Sequence, residues 1–206
     1  MNVNNKKGTF KDYITYSWRL LLIVLIFSYA FWYYVVSWRT EYKKEETFSI
    51  FITSYDWNNQ LEDELYNEFK DDGILDFNVY NFSIDDKDLS SYYTNFGVKS
   101  DILILYEFDL NDMDEYIDDY YMVIPSKYSN QFDCFKYNEA PYGIKLYDNE
   151  NNEYNNSLIN KYNVFSGEKN QDVYILINKK SVHFDNEQDI GYSVLDYILA
   201  GDINGI

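Results

Sequence analysis

Residues Leu20 to Trp38 run LLLIVLIFSYAFWYYVVSW without a single charge, near the start of a chain that is otherwise polar and acidic. A helix of that length rises about 28 Å, close to the hydrocarbon thickness of a bilayer. Arg19 and Arg39 bracket the run. Trp18 stands at one edge, and Trp32, Tyr33, Tyr34 and Trp38 crowd the other, as an interfacial aromatic belt does. A helix buried in a globular core seldom runs this far without a polar face. A cleaved signal peptide is usually shorter and ends in a small-x-small site, which Trp-Tyr-Tyr-Val-Val-Ser-Trp does not supply. No cysteine stands at its boundary to carry a lipid. The expectation is an uncleaved transmembrane anchor over 20–38.

The flanks orient it. Lys6, Lys7, Lys11 and Arg19 face only Asp12 before the run, whereas Arg39, Lys43 and Lys44 are balanced by Glu41, Glu45 and Glu46 after it. A basic excess marks the cytoplasmic side. Residues 1–19 are therefore expected in the cytoplasm, and 39–206 outside the cell membrane of a single-pass protein whose first partner is the lipid bilayer.

Charge then narrows the other partners. The chain has 35 acidic and 17 basic side chains, net −18, and nearly all the acid lies after the anchor. Such a domain does not bind nucleic acid by neutralising phosphates. Its 24 Tyr and 14 Phe argue against disorder, because acidic disordered segments lack aromatic residues. The length after the anchor suits one domain. Cys134 is the only cysteine, so no intrachain disulfide forms and the domain must be held by its core. In FDCFKY it reads as a buried thiol, with an intermolecular bridge or a reactive nucleophile as alternatives.

The pattern after a short charged stalk (39–46) alternates strand and helix. Thr47 to Thr53 alternates in β-formers. Residues 57–70 carry Leu61, Leu65 and Phe69 on one helical stripe, with Asp56 a cap before it and Gly73 a stop beyond. ILDFNVYNF (74–82) alternates again. A second helix carries Leu89, Tyr93 and Phe96, and DILILYEF (101–108) reads as a strand buried on both faces. This β-α-β-α-β order predicts parallel strands joined by right-handed crossovers. Further on, 111–119 reads as a short helix, YYMVIP (120–125) and YGIKLY (142–147) as strands, and 149–156 as a polar loop. DVYILIN (172–178) reads as a strand with a hairpin partner near Val182–Phe184, and 188–200 as a closing helix. The expected fold class is α/β: one N-terminal transmembrane helix followed by a single three-layer domain over 47–206 with a mostly parallel sheet.

FSIFITSYDWNNQLEDELYNEF resembles the opening strand and helix of bacterial extracellular solute-binding proteins of ABC importers. SDILILYE (100–107) resembles their third strand, and PYGIKLYD (141–148) with DVYILINKKSV (172–182) resembles a later pair. The resemblance covers roughly residues 47–182, one lobe of a family that usually clamps its ligand between two. It implies a periplasmic-binding-protein-like lobe held at the membrane. It also implies an ABC transporter permease, or another membrane or surface protein, as partner, and a carbohydrate as ligand.

Chemistry is sparse by comparison. His183 is the only histidine, so no triad or histidine-based metal site can be built, and its strand-like neighbours suggest a structural role. No Gly-rich phosphate loop, G-x-S-x-G elbow or H-E-x-x-H is present. Asp148-Asn-Glu-Asn-Asn152 begins like a calcium loop, but Glu153 and Ile159 stand where Gly and Glu are needed. The expectation is no catalytic residue, no metal and no cofactor, hence not an enzyme. Parallel α/β sheets bind ligands beyond the carboxyl ends of their strands. That points to Tyr55, Asp56 and Trp57 after the first strand, and to Glu107 and Asp109 after the third. Trp57 can equally pack on the core, and Asp56 can cap the following helix. The expected function is a membrane-anchored binding or accessory module working with an ABC-type importer; the alternative is a cell-surface interaction domain that has lost its small ligand.

Overall fold

Phe48, Ile50 and Ile52 alternate with Ser49, Phe51 and Thr53, and a strand with apolar residues on both sides can be stable only inside a sheet covered on both faces. The computed structural model places this segment as β1 (Thr47–Ser54), central in the sheet. The structure describes residues 10–40, 42–112, 116–155, 157–166, 171–186 and 189–200. The chain divides into two units, Met1–Tyr42 and Lys43–Ile206.

Among the described residues the first unit holds one helix, α1 (Phe10–Thr40), whose side chains are described at positions 18, 20 and 22–35. Leu22 to Tyr34 are all exposed, so the helix has no buried stripe there. Among the described residues, no helix is long and apolar enough to cross a membrane. The expected span Leu20–Trp38 includes positions 21 and 36–38, whose side chains lie outside the described residues.

In the second unit β1 leads through β2 (Asp56–Trp57) to α2 (Gln60–Phe69), which buries Leu61, Leu65 and Phe69 and turns its acids outward. Asp56 does not cap this helix. It lies in β2, where its carboxylate accepts the Trp57 N–H at 2.9 Å, and Asn58 Oδ1 accepts the Gln60 N–H at 3.1 Å instead. Gly73, at φ 98°, makes the turn toward β3 (Asp76–Ser83), which pairs parallel to β1 along its whole length. Then come α3 (Leu89–Asn95) and β4 (Ile102–Tyr106), a fully buried strand parallel to β1 on its other side. Glu107 and Phe108 leave the strand to start α4 (Glu107–Asp112), and α5 (Ile117–Tyr120) follows.

YYMVIP does not form a ladder. Tyr121 makes an isolated bridge to Asn178, while the Met122 N–H reaches Ile177 O and the Ile124 N–H reaches Pro141 O. The segment meets two different strands and so runs alongside neither. After α6 (Ser126–Ser129), β5 (Cys134–Tyr137) and β6 (Ala140–Asp148) form a hairpin whose two turn residues, Asn138 and Glu139, both take positive φ (48° and 70°). That is the backbone of a two-residue primed turn. β7 (Glu153–Tyr154) folds back on β6, so the expected loop contains a short strand. α7 (Ile159–Tyr162) precedes β8 (Asn163–Val164), which pairs with β2. β9 (Val173–Ile177) and α8 (Ile190–Ala200) complete the domain. Val182–Phe184 is no strand; it belongs to the loop before α8.

The fold is α/β, with the main sheet in the order β3-β1-β4-β9-β6-β5 and β7 beside β6. The expected parallel pairing holds in its first half, β3-β1-β4, whereas β9, β6, β5 and β7 pair antiparallel. Phe48, Ile50, Ile52, Ile102 and Ile104 pack one sheet face under α2 and α8. Phe51, Leu103, Leu105 and Leu176 pack the other under α3, α4 and α5. Strand β1 therefore sits between two helical layers.

At the amino ends of β1 and β4 a polar network ties the loop before α8 to the sheet. The buried Asp101 carboxylate accepts the Ser49 N–H at 2.8 Å, the Ser49 hydroxyl at 3.1 Å and the Ser181 hydroxyl at 2.6 Å. The Asn178 amide donates to Ser100 O at 2.7 Å, and His183 Nε2 lies 3.0 Å from Thr47 O. The lone histidine thus joins a buried backbone contact, away from the carboxyl ends where a ligand crevice belongs.

Candidate functional site

The β3-β1-β4 order places a switch in connection direction at β1: one crossover leads to β3, and the next returns past β1 to β4. Crevices form outside the carboxyl ends of strands at such points. Here a cavity of about 320 Å³ opens on the α3–α4 face of the sheet. Its base is Phe51 and Thr53 from β1 and Leu105 from β4. One side is Leu89, Ser90, Tyr93 and Thr94 of α3, and the other is Asp109 and Asp112 of α4.

Each lining residue follows from local structure. Phe51 and Thr53 are two apart on a strand, so they share a face. Leu89 and Tyr93 are four apart on a helix, so both turn to the sheet, with Ser90 and Thr94 beside them at the same spacing. Leu105 is the last but one residue of β4, and α4 begins two residues after it, which brings Asp109 back over the strand end. The Phe51 and Tyr93 rings meet edge to face with centroids 6.0 Å apart. The Tyr93 hydroxyl lies 2.8 Å from that of Tyr121. Burial pushes the Tyr93 phenol up, Tyr121 partly offsetting it, and burial pushes the Tyr121 phenol well up, so both stay neutral. The Thr53 hydroxyl donates to Ile104 O at 3.1 Å.

The five residues expected at the crevice are split between two places. Tyr55 packs toward the α2–α8 face, its ring edge-on to Tyr106 at 6.2 Å. Asp56 and Trp57 form the β2–β8 ribbon, and the Tyr55 and Asn58 N–H groups donate to Val164 O and Tyr162 O. Beneath them, the buried Asn163 amide donates to Ser54 Oγ at 3.2 Å and to Asn81 Oδ1 at 2.7 Å. These bonds tie the ribbon to the ends of β1 and β3, and neither Asp56 nor Trp57 lines the cavity. Glu107 and Asp109 share α4. The start of that helix is fastened to the segment before β9: the Glu107 N–H donates to Asp172 O at 3.0 Å and the Phe108 N–H to Gln171 Oε1 at 2.7 Å. Of the five, only Asp109 lines the cavity. The sequence showed the Leu89/Tyr93 stripe, but nothing in it showed that the sheet leaves space beneath that stripe.

A second, polar cavity of about 390 Å³ lies between Gln131–Asp133 and the β6–β7 hairpin. Lys145 reaches into this region, its Nζ 2.6 Å from Asp172 and 3.8 Å from Asp148. Burial opposes its charge, but Asp172, then Asp148 and Asp133, outweigh that and hold its pKa above the ordinary value. The calcium-like start at Asp148 closes a turn on itself. Its Oδ1 accepts the Glu150 and Asn151 N–H groups, chiefly the latter, and this lowers its pKa. Among the described residues no three His, Cys, Asp or Glu side chains are placed to hold a metal ion.

Cys134 is half-buried on β5, with its Sγ 3.4 Å from Phe132 O. Burial and then Asp133 push the thiol up, and Lys136 only partly offsets them. A raised thiol carries little thiolate at neutral pH. Iodoacetamide is therefore expected to label Cys134 in the native chain about tenfold or more slowly than a free thiol at pH 7.5, with urea restoring the rate. Equal rates would show an accessible cysteine of ordinary reactivity. The sequence matches no protein-family model and no curated protein.

Proposed function

We propose that this chain is a membrane-anchored extracytoplasmic module that binds a small solute, similar to one lobe of a solute-binding protein, and that it works beside an ABC-type importer. The observation that carries the binding role is the cavity over β1 and β4, an apolar hollow with a few polar groups at its edge. The anchor is supported by the charge-free stretch Leu20–Trp38 and by a helix on which every residue from Leu22 to Tyr34 is exposed. Such a helix needs an apolar surrounding. The basic excess before it supports an orientation with the C-terminal domain outside. Tethering raises the concentration of the domain near any membrane partner.

Two measurements test this function. Membranes carrying the full chain are washed with alkaline carbonate, with a Leu25→Arg/Ile26→Arg variant alongside. Wild type is expected to stay in the pellet, and the variant to lose most of that retention, since each central Arg costs about 2.5–3.5 kcal/mol on insertion scales. Release of wild type by carbonate would remove the anchor. The detergent-solubilised chain is then melted with mono- and disaccharides and other small solutes, and its co-purifying proteins are identified. No ligand-induced shift and no permease would remove the transport role.

One observation favours a second function, docking to another surface protein. Phe108, Tyr116, Tyr120 and Val123 are large, apolar and 38–55% exposed within a short stretch of chain. Surfaces of this kind mark interaction sites when contiguous. Co-purification of a surface protein without solute binding would favour it.

A further inference from the structure

We propose that the outer edge of β3 takes an extended segment of a partner protein by strand addition, a segment in which basic residues alternate with apolar ones. This surface is separate from the α3–α4 cavity and does not depend on solute binding. β3 ends the main sheet, and among the described residues it pairs with β1 alone. The Ile84 N–H donates to Ser54 O at 3.1 Å and the Val79 N–H to the Glu62 carboxylate at 3.2 Å, so the backbone groups of Val79, Asn81 and Ser83 turn away from β1. Among the described residues, Val79 O, the Asn81 N–H and C=O, and the Ser83 N–H have no hydrogen-bond partner. A row of this kind is a template for another strand. An incoming antiparallel strand exchanges both bonds with Asn81 and makes one more with each of Val79 and Ser83.

The two flanks of the edge select the side chains. Val79 and Asn81 turn to the α2 side, where with Asn59, Leu61, Glu62 and Asp63 they line a hollow of about 320 Å³. Among these described lining residues none is basic. Tyr80 and Phe82 turn to the α3 side and form an aromatic shelf. Phe82 stacks on Tyr92 with centroids 4.4 Å apart, and Tyr80 lies 4.8 Å from the exposed ring of Phe96. Residues directly opposite each other in an antiparallel pair share a face. The incoming residue opposite Asn81 therefore enters the acidic hollow, and its two neighbours lie over the shelf. Charge complementarity calls for Lys or Arg at the first position, and the shelf calls for apolar residues at the others. A second copy of this chain fits poorly. Two β3 edges would set Glu62 and Asp63 of one copy against those of the other, and the whole chain carries net −18.

The test uses the full chain in detergent and labelled peptides of about nine residues, read by fluorescence anisotropy. One peptide alternates Lys and Val, and a second alternates Glu and Val. Two copies of the first are N-methylated, one at its Lys residues and one at its Val residues. The Lys peptide is expected to bind at least about tenfold more tightly than the Glu peptide. Its Lys N–H groups face β3, so methylating them is expected to cost about tenfold or more, whereas methylating the outward Val N–H groups costs little. Glu62→Lys with Asp63→Lys is expected to reverse the preference between the Lys and Glu peptides, and melting without peptide checks that this variant is folded. Hydrogen exchange on the complex is expected to slow at Asn81 and Ser83. Equal affinity for the Lys and Glu peptides, equal loss from the two methylated copies, no slowing at Asn81 and Ser83, or no binding would each overturn the proposal. A dimeric chain whose Asn81 and Ser83 amides are already slow without peptide would overturn it too, because a second copy then holds the edge. Solute binding is read separately, from melting with small solutes, and stands or falls by that result.

Discussion

Replacing Asp101 with Ala is expected to destabilise the C-terminal domain by about 3 kcal/mol or more. Its carboxylate is buried and accepts three hydrogen bonds, from the Ser49 N–H, the Ser49 hydroxyl and the Ser181 hydroxyl. Alanine would leave those donors facing protein with no acceptor, and hydrogen bonds to a charged group are among the stronger ones. In a domain of this size each kcal/mol lowers the melting temperature by about 2–4 °C, so a fall of roughly 6–12 °C is expected. Asp101→Asn keeps one acceptor but turns an amide N–H₂ toward a donor, and should fall between Ala and wild type. Thermal unfolding of the three chains in one detergent buffer checks this ordering. A D101A melt within about 2 °C of wild type would show that the loop from Asn178 to Phe184 is held by other contacts.

Gly191→Ala is expected to be comparably damaging for a different reason. A β-carbon at Gly191 would lie 2.3 Å from His183 O, 2.9 Å from His183 C and 2.9 Å from a ring carbon of Phe184. The first two are backbone atoms and cannot swing aside. The Gly191 N–H also donates to His183 O at 2.9 Å, which fixes how closely α8 approaches that loop. Adding a methyl must push α8 outward, loosening Val194, Leu195 and Ile198 from the sheet, at a cost of about 2–3 kcal/mol. The control is Ser193→Ala, exposed on the same helix and expected within about 0.5 kcal/mol of wild type. Equal melting temperatures for the two variants would mean that α8 has slack at Gly191.

Both substitutions act on one assembly. Asp101 holds the loop from the strand side, and Gly191 lets α8 close over it. Between them His183 bonds Thr47 O, and its ring and that of Phe184 pack against Phe48, with centroids 5.3 and 6.2 Å away. This end of the sheet supplies stability, and the cavity lies toward the other end.

The first half of the sheet was legible because its patterns are strong and local. Alternation marked β1 and β3, a continuous apolar run marked β4, and the Leu61/Leu65/Phe69 stripe marked α2. The second half was less so. The hairpin of β5 and β6 turns on Asn138-Glu139, where Gly is the usual second residue, so the turn had no recognisable signature. YYMVIP has strand-forming residues, yet its N–H groups are taken by two different strands. β9 reads like any buried strand; its antiparallel direction comes from where the preceding chain, through β7, α7 and β8, delivers it. At the site, Asp109 was found by counting from the end of β4. Tyr55, Asp56 and Trp57 were placed by the same rule but are drawn into the β2–β8 ribbon by a partner strand more than a hundred residues away in sequence.

The amino-acid sequence by itself determined the charge-free stretch, the acidity of the remainder, the α/β alternation and the presence of a single histidine and a single cysteine. These depend on composition and on patterns within a few residues. Only the tertiary structure decided that the sheet is parallel on one side and antiparallel on the other, that the loop after β1 is bound to β8, and that an apolar hollow stands between α3 and α4. Each of these depends on how distant segments meet. A cavity in particular is space left after side chains from separate elements have packed, and no single segment encodes it.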